Sequence, residues 1–287
     1  MGPIDYNSIN AIKHILESKG LSVSKRLGQN FLISPQVRRK LCSALEIEND
    51  DSVWEIGPGL GAMTELCLKA AASVKVFELD YGFVRILEEL YGGNPSCTII
   101  PGDFMETGIP LLEKGKVPDR ILGNLPYSSG SAMIYRIIEL GQLPAVSVFT
   151  LQREVVQRMS AGPGEKAYSL FSIVCQFAFT VEDFGDVAPG AFFPVPEVVS
   201  RIVRLKPHVR FNGIADRKLF FTTVKALFRA RRKTIKNNLL GSPLAGIIPR
   251  DGILASCRAA DIDPGDRGEN LSVEKIAALT NQLASLL

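Results

Sequence analysis

A short apolar run that ends in glycines and passes straight into a helical pattern, residues 52–72, constrains the fold more than any other feature of the chain. Residues 52–57 (SVWEIG) have the length of a buried strand, and residues 60–72 then carry Met63, Leu66 and Leu68 at helical spacing. The same alternation repeats downstream. Residues 74–79 (VKVFEL) predict a second strand, 81–91 a helix, 97–100 a third strand and 120–125 a fourth. Residues 129–140 read as a helix, 145–151 (AVSVFTL) as a fifth strand and 152–159 as a short helix. Strands alternating with helices require a mostly parallel sheet covered on both faces and joined by right-handed crossovers. After Gly162-Pro-Gly164, residues 171–181 and 198–205 are expected to be two longer strands with no helix between them, an antiparallel hairpin at the sheet edge. From Asp216 onward the pattern is helical, broken at Gly241-Ser-Pro243 and Asp263-Pro-Gly265. The expectation is an α/β domain over residues 1–208, with an N-terminal helical and basic segment, followed by a small all-helical domain over 209–287.

Composition removes several kinds of chemistry. The five cysteines are odd in number and lack a C-x-x-C pair, which argues against a disulfide framework or a zinc site. His14 and His208 are the only histidines and neither neighbours a candidate nucleophile or metal ligand, so no metal and no histidine-based triad is expected. Residues 1–19 read as an amphipathic helix containing Asp5, Lys13, Glu17 and Lys19, and no apolar run reaches membrane-spanning length. A cytoplasmic, monomeric protein is expected.

Glycine in Glu55-Ile-Gly57-Pro-Gly59-Leu-Gly61 lets the backbone pass close to a ligand at the carboxyl edge of the sheet, where open α/β sheets bind cofactors. The spacing is G-x-G-x-G, whereas the dinucleotide fingerprint is G-x-G-x-x-G, so a nicotinamide dehydrogenase is disfavoured. Glu78, at the end of the second strand, can accept hydrogen bonds from a ribose diol, with Asp80 as a competitor for that task. Asp103, after the third strand, can accept from an adenine amino group. Acids at the ends of consecutive strands after a Gly-rich turn point to S-adenosylmethionine, and hence to a Rossmann-like methyltransferase sheet.

The fourth strand ends in Asn124-Leu125-Pro126-Tyr127, which resembles the (Asp/Asn/Ser)-Pro-Pro-(Tyr/Phe) tetrapeptide of methyltransferases acting on exocyclic amino groups. The lone pair of an aromatic amine is conjugated into its ring. The side-chain oxygen of Asn124 and the backbone carbonyl of Leu125 or Pro126 can each accept one amino hydrogen, favouring the pyramidal nitrogen that attacks. Tyr127 can stack on the base, worth roughly 1 to 3 kcal/mol. Such a site needs no strong general base, in keeping with the scarcity of histidine.

Taken with residues 25–32 (KRLGQNFL), Glu78-Leu-Asp80, Gly102-Asp103, residues 151–154 (LQRE), 191–198 (AFFPVPEV) and 231–234 (RRKT), these motifs resemble, in order and over about residues 25–280, the ribosomal RNA adenine N6-dimethyltransferases. The resemblance implies that Asn30, Leu32, Gly57, Gly59, Glu78, Asp103 and Asn124 contact S-adenosylmethionine, and that Phe192 faces Tyr127 across a flipped adenine. It also implies dimethylation of two adjacent adenosines near the 3′ end of small-subunit rRNA during ribosome biogenesis. Two alternatives share the fold: a large-subunit methyltransferase of the antibiotic-resistance type, and a non-catalytic assembly or transcription factor. The chain departs from the family at Ser128-Ser-Gly-Ser131, where relatives usually carry an isoleucine and a proline.

Charge is divided unevenly. Residues 201–287 hold 16 Lys/Arg against 7 Asp/Glu, while residues 1–200 hold 17 against 23, and residues 13–40 hold seven basic side chains and one acid. Clustered Lys/Arg neutralise phosphates and release counterions. Lys25 and Arg26 are candidates for RNA contact. If residues 219–239 were one helix, Lys225, Arg229, Arg232 and Lys236 would form a basic rail along one face.

Overall fold

The computed structural model describes residues 2, 4–24 and 28–287. Its strands are β1 (Phe31–Leu32), β2 (Ser52–Ile56), β3 (Ser73–Glu78), β4 (Cys97–Pro101), β5 (Arg120–Asn124), β6 (Val146–Gln152), β7 (Phe179–Val187), β8 (Phe192–Phe193) and β9 (Ser200–Pro207). The α-helices are α1 (Ile9–Ser18), α2 (Pro35–Leu45), α3 (Thr64–Leu68), α4 (Tyr81–Tyr91), α5 (Phe104–Thr107), α6 (Ile109–Glu113), α7 (Gly130–Leu140), α8 (Arg153–Ser160), α9 (Leu170–Ala178), α10 (Arg217–Leu227), α11 (Ile235–Leu240), α12 (Arg250–Ala259) and α13 (Val273–Ala284). No helix among the described residues is long and apolar enough to cross a membrane.

Seven strands form one sheet in the order β4-β3-β2-β5-β6-β9-β7. The five from β4 to β6 are parallel, and β9 runs antiparallel to β6 with Thr150 opposite Ile202. Because helices cover both faces, the strands are apolar on both sides rather than alternating. Val53, Val74, Val76, Leu122 and Val148 enter one core with Leu41 and Leu45 of α2. On the other face Trp54, Phe77 and Phe104 form a cluster with ring centroids 5.0–6.5 Å apart. From β2 the chain fills the sheet first in one direction, to β4, and then in the other, from β5 outward. This places a topological switch between β2 and β5, the position where such sheets bind ligands.

The contacts divide the chain into two compact units, one comprising residues 1–156 and 182–206, the other 157–181 and 207–287. The second unit thus takes in residues 157–181, where the sequence pattern predicts a single first domain over 1–208.

Three local expectations are corrected. Residues 170–178 form α9 instead of a strand. Ser169 N–H donates to the Ser172 hydroxyl, 3.0 Å, at the helix start, and both faces of the helix are buried, so its apolar run carries no periodicity that separates helix from strand. The edge strand begins only at Phe179. Helix α3 is confined to Thr64–Leu68, because Gly57, Gly59 and Gly61 hold φ of +68°, +57° and +88° and the chain turns until Met63. Residues 219–239 are two helices, not one.

Candidate active site

A cleft of about 1250 Å³, open to solvent, lies at the carboxyl ends of β2, β3, β4 and β5. The connections after these strands line it with Gly57 and Gly59, Glu78 and Leu79, Asp103 and Phe104, and Asn124 and Pro126, while Gly28 to Leu32 lines it from the N-terminal side. Tyr6 and Ile12 also contribute, tying the N-terminal segment to the cleft. Tyr6 donates to the Leu60 carbonyl, 2.9 Å. The guanidinium of Arg38 is buried and donates to the carbonyls of Tyr6 and Leu32, 3.3 and 2.9 Å. These contacts of Arg38 and Tyr6 were not anticipated from sequence, which carries no signal for a buried cation bonded to backbone.

The acids divide their tasks. Glu78, 6% exposed, accepts at one carboxylate oxygen from Gly59 N–H, 2.9 Å, and at the other from Asp80 N–H, 2.8 Å. Each oxygen keeps a second lone pair for a ligand hydroxyl. Burial pushes this carboxyl up to about 7, against the opposing pull of its backbone donors. Asp80, the competitor, does not line the cleft. It caps α4 through Gly82 N–H, 2.8 Å, and accepts from Gln29 Nε2, 2.9 Å. Asp103 caps α5 through Met105 N–H, 2.8 Å, and lines the cleft. Glu55, 3% exposed, sits behind the glycine turn, accepts from the Thr64 hydroxyl at 2.6 Å, and is also pushed up to about 7 by burial. The turn itself leaves a cradle: a Cβ added at Gly57 would meet no atom within 4 Å and stand in the open cleft.

After β5, the Asn124 side-chain Nδ2 donates to the Asn30 carbonyl, 2.8 Å. A carbonyl can only accept, so the amide orientation is dictated: nitrogen to Asn30, leaving Oδ1 as the acceptor. The Pro126 carbonyl already receives Ser129 N–H at 3.2 Å and Gly130 N–H at 2.9 Å, closing the turn into α7. Of the two backbone oxygens left open by the sequence, the Leu125 carbonyl is therefore the better available partner. The atypical Ser128–Ser131 stretch forms this turn without the relatives' proline. Gly130 lies so close to the Leu125 and Leu151 side chains that an added Cβ would stand 2.9–3.1 Å from them. Tyr127 is half-buried, and its hydroxyl shares a 2.7 Å hydrogen bond with Ser200 Oγ.

Phe192 requires a correction. Its ring is 1% exposed and packs in the core with Leu32, Val187 and Ile202, so no face is presented to a base. The neighbouring Phe193, partly buried, lies beneath the Lys13 ammonium at 5.6 Å from the ring centroid. Lys25 and Arg26 lie outside the described residues. The basic rail is also corrected: α10 ends at Leu227, so Lys225 lies on α10, Arg229 and Arg232 on the following turn, and Lys236 on α11. The turn is closed by Asn238, 2% exposed, whose Nδ2 donates to the carbonyls of Leu227 and Ala230 at 2.9 and 3.1 Å. Arg229 bonds the Gly241 carbonyl, and Arg231 bonds Glu269 at 2.9 Å.

A parallel sheet with an antiparallel strand beside β6, a glycine turn and buried acid at its switch point, and an amide acceptor on the next strand define a Rossmann-like methyltransferase. The sequence matches the ribosomal RNA adenine dimethylase family over residues 20–284, and the chain belongs to that family. A small-subunit ribosomal RNA methyltransferase A of Treponema denticola is 37% identical over 273 residues, covering 91% of this chain and 93% of its own. The crystal structure of a dimethyladenosine transferase from Plasmodium falciparum superposes with a TM-score of 0.71 at 23% identity, covering 86% of this chain and 94% of that one. That of the 23S rRNA methyltransferase ErmE gives 0.64 at 22%, covering 89% and 100%. At such identities the two structures establish the fold. The methyl donor of this family is S-adenosylmethionine, and the open cradle at Gly57 with the carboxylates of Glu78 and Asp103 fits a nucleoside carrying a cationic sulfur.

Proposed function

We propose that the protein dimethylates the N6 amino nitrogen of adenosines in small-subunit rRNA, at two adjacent positions near the 3′ end, during ribosome biogenesis. The observation that carries this reading is the dictated orientation of Asn124, whose Nδ2 is committed to the Asn30 carbonyl and whose Oδ1 is left to accept. Bound S-adenosylmethionine supplies an electrophilic methyl group on a positively charged sulfur. Glu78 accepts the ribose hydroxyls, Asp103 the adenine amino group, and Asn30, Leu32, Gly57 and Gly59 wall the remainder. In the first transfer Asn124 Oδ1 and the Leu125 carbonyl each accept one hydrogen of the target amine, drawing its lone pair out of the ring; as the nitrogen takes the methyl group from sulfur it gives up one proton to water, and the remaining hydrogen is held by one of the two acceptors in the second transfer. Pro126 shapes the turn, and Tyr127, anchored through Ser200, offers a stacking face. Holding the two reactants in line can supply several kcal/mol without a strong base. Lys225, Arg229, Arg232 and Lys236 of the 209–287 helical region, with Lys25 and Arg26, are assigned to the RNA backbone. A monomer acting in the cytoplasm completes the reading.

The test is methyl transfer from labelled S-adenosylmethionine to unmethylated small subunits, large subunits and their naked RNAs, followed by nucleoside mass analysis. Dimethyladenosine confined to small-subunit material is expected. Label in large-subunit RNA would replace this reading with the resistance-type activity, and binding without transfer would replace it with an assembly factor.

A further inference from the structure

The side chain of Gln29 joins the two halves of the site. Its Oε1 accepts from Ser24 N–H at 2.7 Å and its Nε2 donates to Asp80 Oδ2 at 2.9 Å. Ser24 N–H can only donate and the Asp80 carboxylate can only accept, so this amide has one orientation. Asp80 in turn holds Glu78 through its backbone N–H, 2.8 Å, and Glu78 bonds Gly59 of the glycine turn, 2.9 Å. The next residue along the chain, Asn30, receives Asn124 Nδ2 on its carbonyl, 2.8 Å. Two adjacent residues thus connect the acid on the cofactor side with the amide on the amine side. Residues 28–32 are otherwise held by a longer backbone bond from Gln29 N–H to the Ser24 carbonyl, 3.4 Å, and at their far end by the Arg38 guanidinium on the Leu32 carbonyl and by pairing with β8.

We propose that Gln29, latched to Asp80, is a positioning residue for methyl transfer: it holds the Asn30 carbonyl where it keeps the Asn124 oxygen turned toward the target amine. This rests on the proposed function for the identity of that amine. Without the latch, the tie to Asp80 is lost and the segment before Asn30 is left with the longer Gln29–Ser24 backbone bond. The Asn124 amide then loses its single enforced orientation and can present nitrogen, a donor, where an acceptor is required.

The test replaces Gln29→Met, which keeps length and removes both hydrogen bonds, and Asp80→Ser, which retains a helix cap but cannot reach Gln29. Each is expected to lower kcat on small subunits by about tenfold or more, the effect of one hydrogen bond to a carboxylate. The KM for S-adenosylmethionine and the Kd for S-adenosylhomocysteine should stay within about threefold, and the double variant should be no worse than Gln29→Met alone, since that substitution already breaks the contact with Asp80. A second readout is independent of turnover. The side-chain amide protons of Asn124, assigned by their loss in Asn124→Ala, should exchange with solvent faster in Gln29→Met than in the wild type. Normal kcat in both single variants, equal losses in kcat and cofactor affinity, or unchanged Asn124 exchange would each overturn the proposal. If the wild type transfers no methyl to ribosomal material, the proposed function fails, and the exchange measurement still decides the latch.

Discussion

The carboxyl edge of the sheet and the stretch from Arg217 to Leu240 both set polar side chains on short connections, and they use them in opposite ways. At the sheet edge, rigid strands deliver Glu78 and Asn124 to fixed points, and backbone partners hold each one while leaving acceptor capacity toward the cleft. Between α10 and α11, Asn238 spends its amide on two backbone carbonyls, and Arg229 and Arg231 are engaged by Gly241 and Glu269. The first arrangement is a preorganised acceptor site. The second is a turn whose charges partly serve the fold. Residue type alone does not separate function from scaffold; what distinguishes them is where the remaining donors and acceptors point.

The largest effect that tests this contrast is expected at Asn124. Asn124→Ala should lower methyl transfer by roughly 5- to 150-fold, the consequence of losing an acceptor worth about 1 to 3 kcal/mol, while S-adenosylhomocysteine affinity stays within about tenfold. Normal turnover in single-turnover assays would remove Asn124 from the mechanism.

Next is the pH dependence of cofactor binding. The Glu78 carboxyl is raised to about 7 in the free protein, and ribose hydroxyls donate best to its ionised form, so binding releases a proton. Affinity should therefore rise as pH increases toward 7, by up to about tenfold per unit, and level off above it. Calorimetric titration across pH 5.5–8.5 should show this rise in the wild type and a flatter profile in Glu78→Gln. An equally steep profile in that variant would assign the proton elsewhere, Glu55 being the other buried carboxyl.

In the helical stretch the effects should fall on stability and salt dependence. Asn238→Leu strands the Leu227 and Ala230 carbonyls, and denaturant unfolding should register a loss of about 1 to 3 kcal/mol. A neutral result would mean that water or a rearranged turn satisfies them. The smallest effect belongs to the phosphate contacts. Replacing Arg229, Arg232 and Lys236 together with Ala should reduce the slope of log K against log salt for RNA binding by up to about three units, since the Arg229 guanidinium keeps its charge and further donors while bonded to the Gly241 carbonyl. An unchanged slope for the triple variant would move the RNA off this stretch.

Much of the first region is legible in sequence because its signals are local. A strand of five residues, a G-x-G-x-G turn with positive φ and a capping acid depend on neighbours within a few residues, and strands β2 to β6 fall close to where the apolar runs put them, whereas the two-residue β1 carried no such signal. The turn at Asn124–Tyr127 is likewise a contiguous tetrapeptide. Where sequence pattern and structure differ, the deciding contact is distant or the period ambiguous. The apolar run of α9 is buried on both faces, so strand and helix have the same pattern. The break after Leu227 depends on an asparagine eleven residues later, and Phe192 is buried by packing against Leu32, Val187 and Ile202.

By itself, then, the sequence determined the alternating α/β order, the glycine turn, the acids at successive strand ends and the amide acceptor motif, since each follows from short-range sterics and hydrogen bonding along the chain. Only the tertiary structure decided that Glu78 rather than Asp80 faces the cleft, that the Pro126 carbonyl is taken by the turn into α7, and that Gln29 and Asn30 bridge the acid and the amide. Those outcomes depend on which donors and acceptors become neighbours across dozens of residues, a geometry set by sheet order and packing.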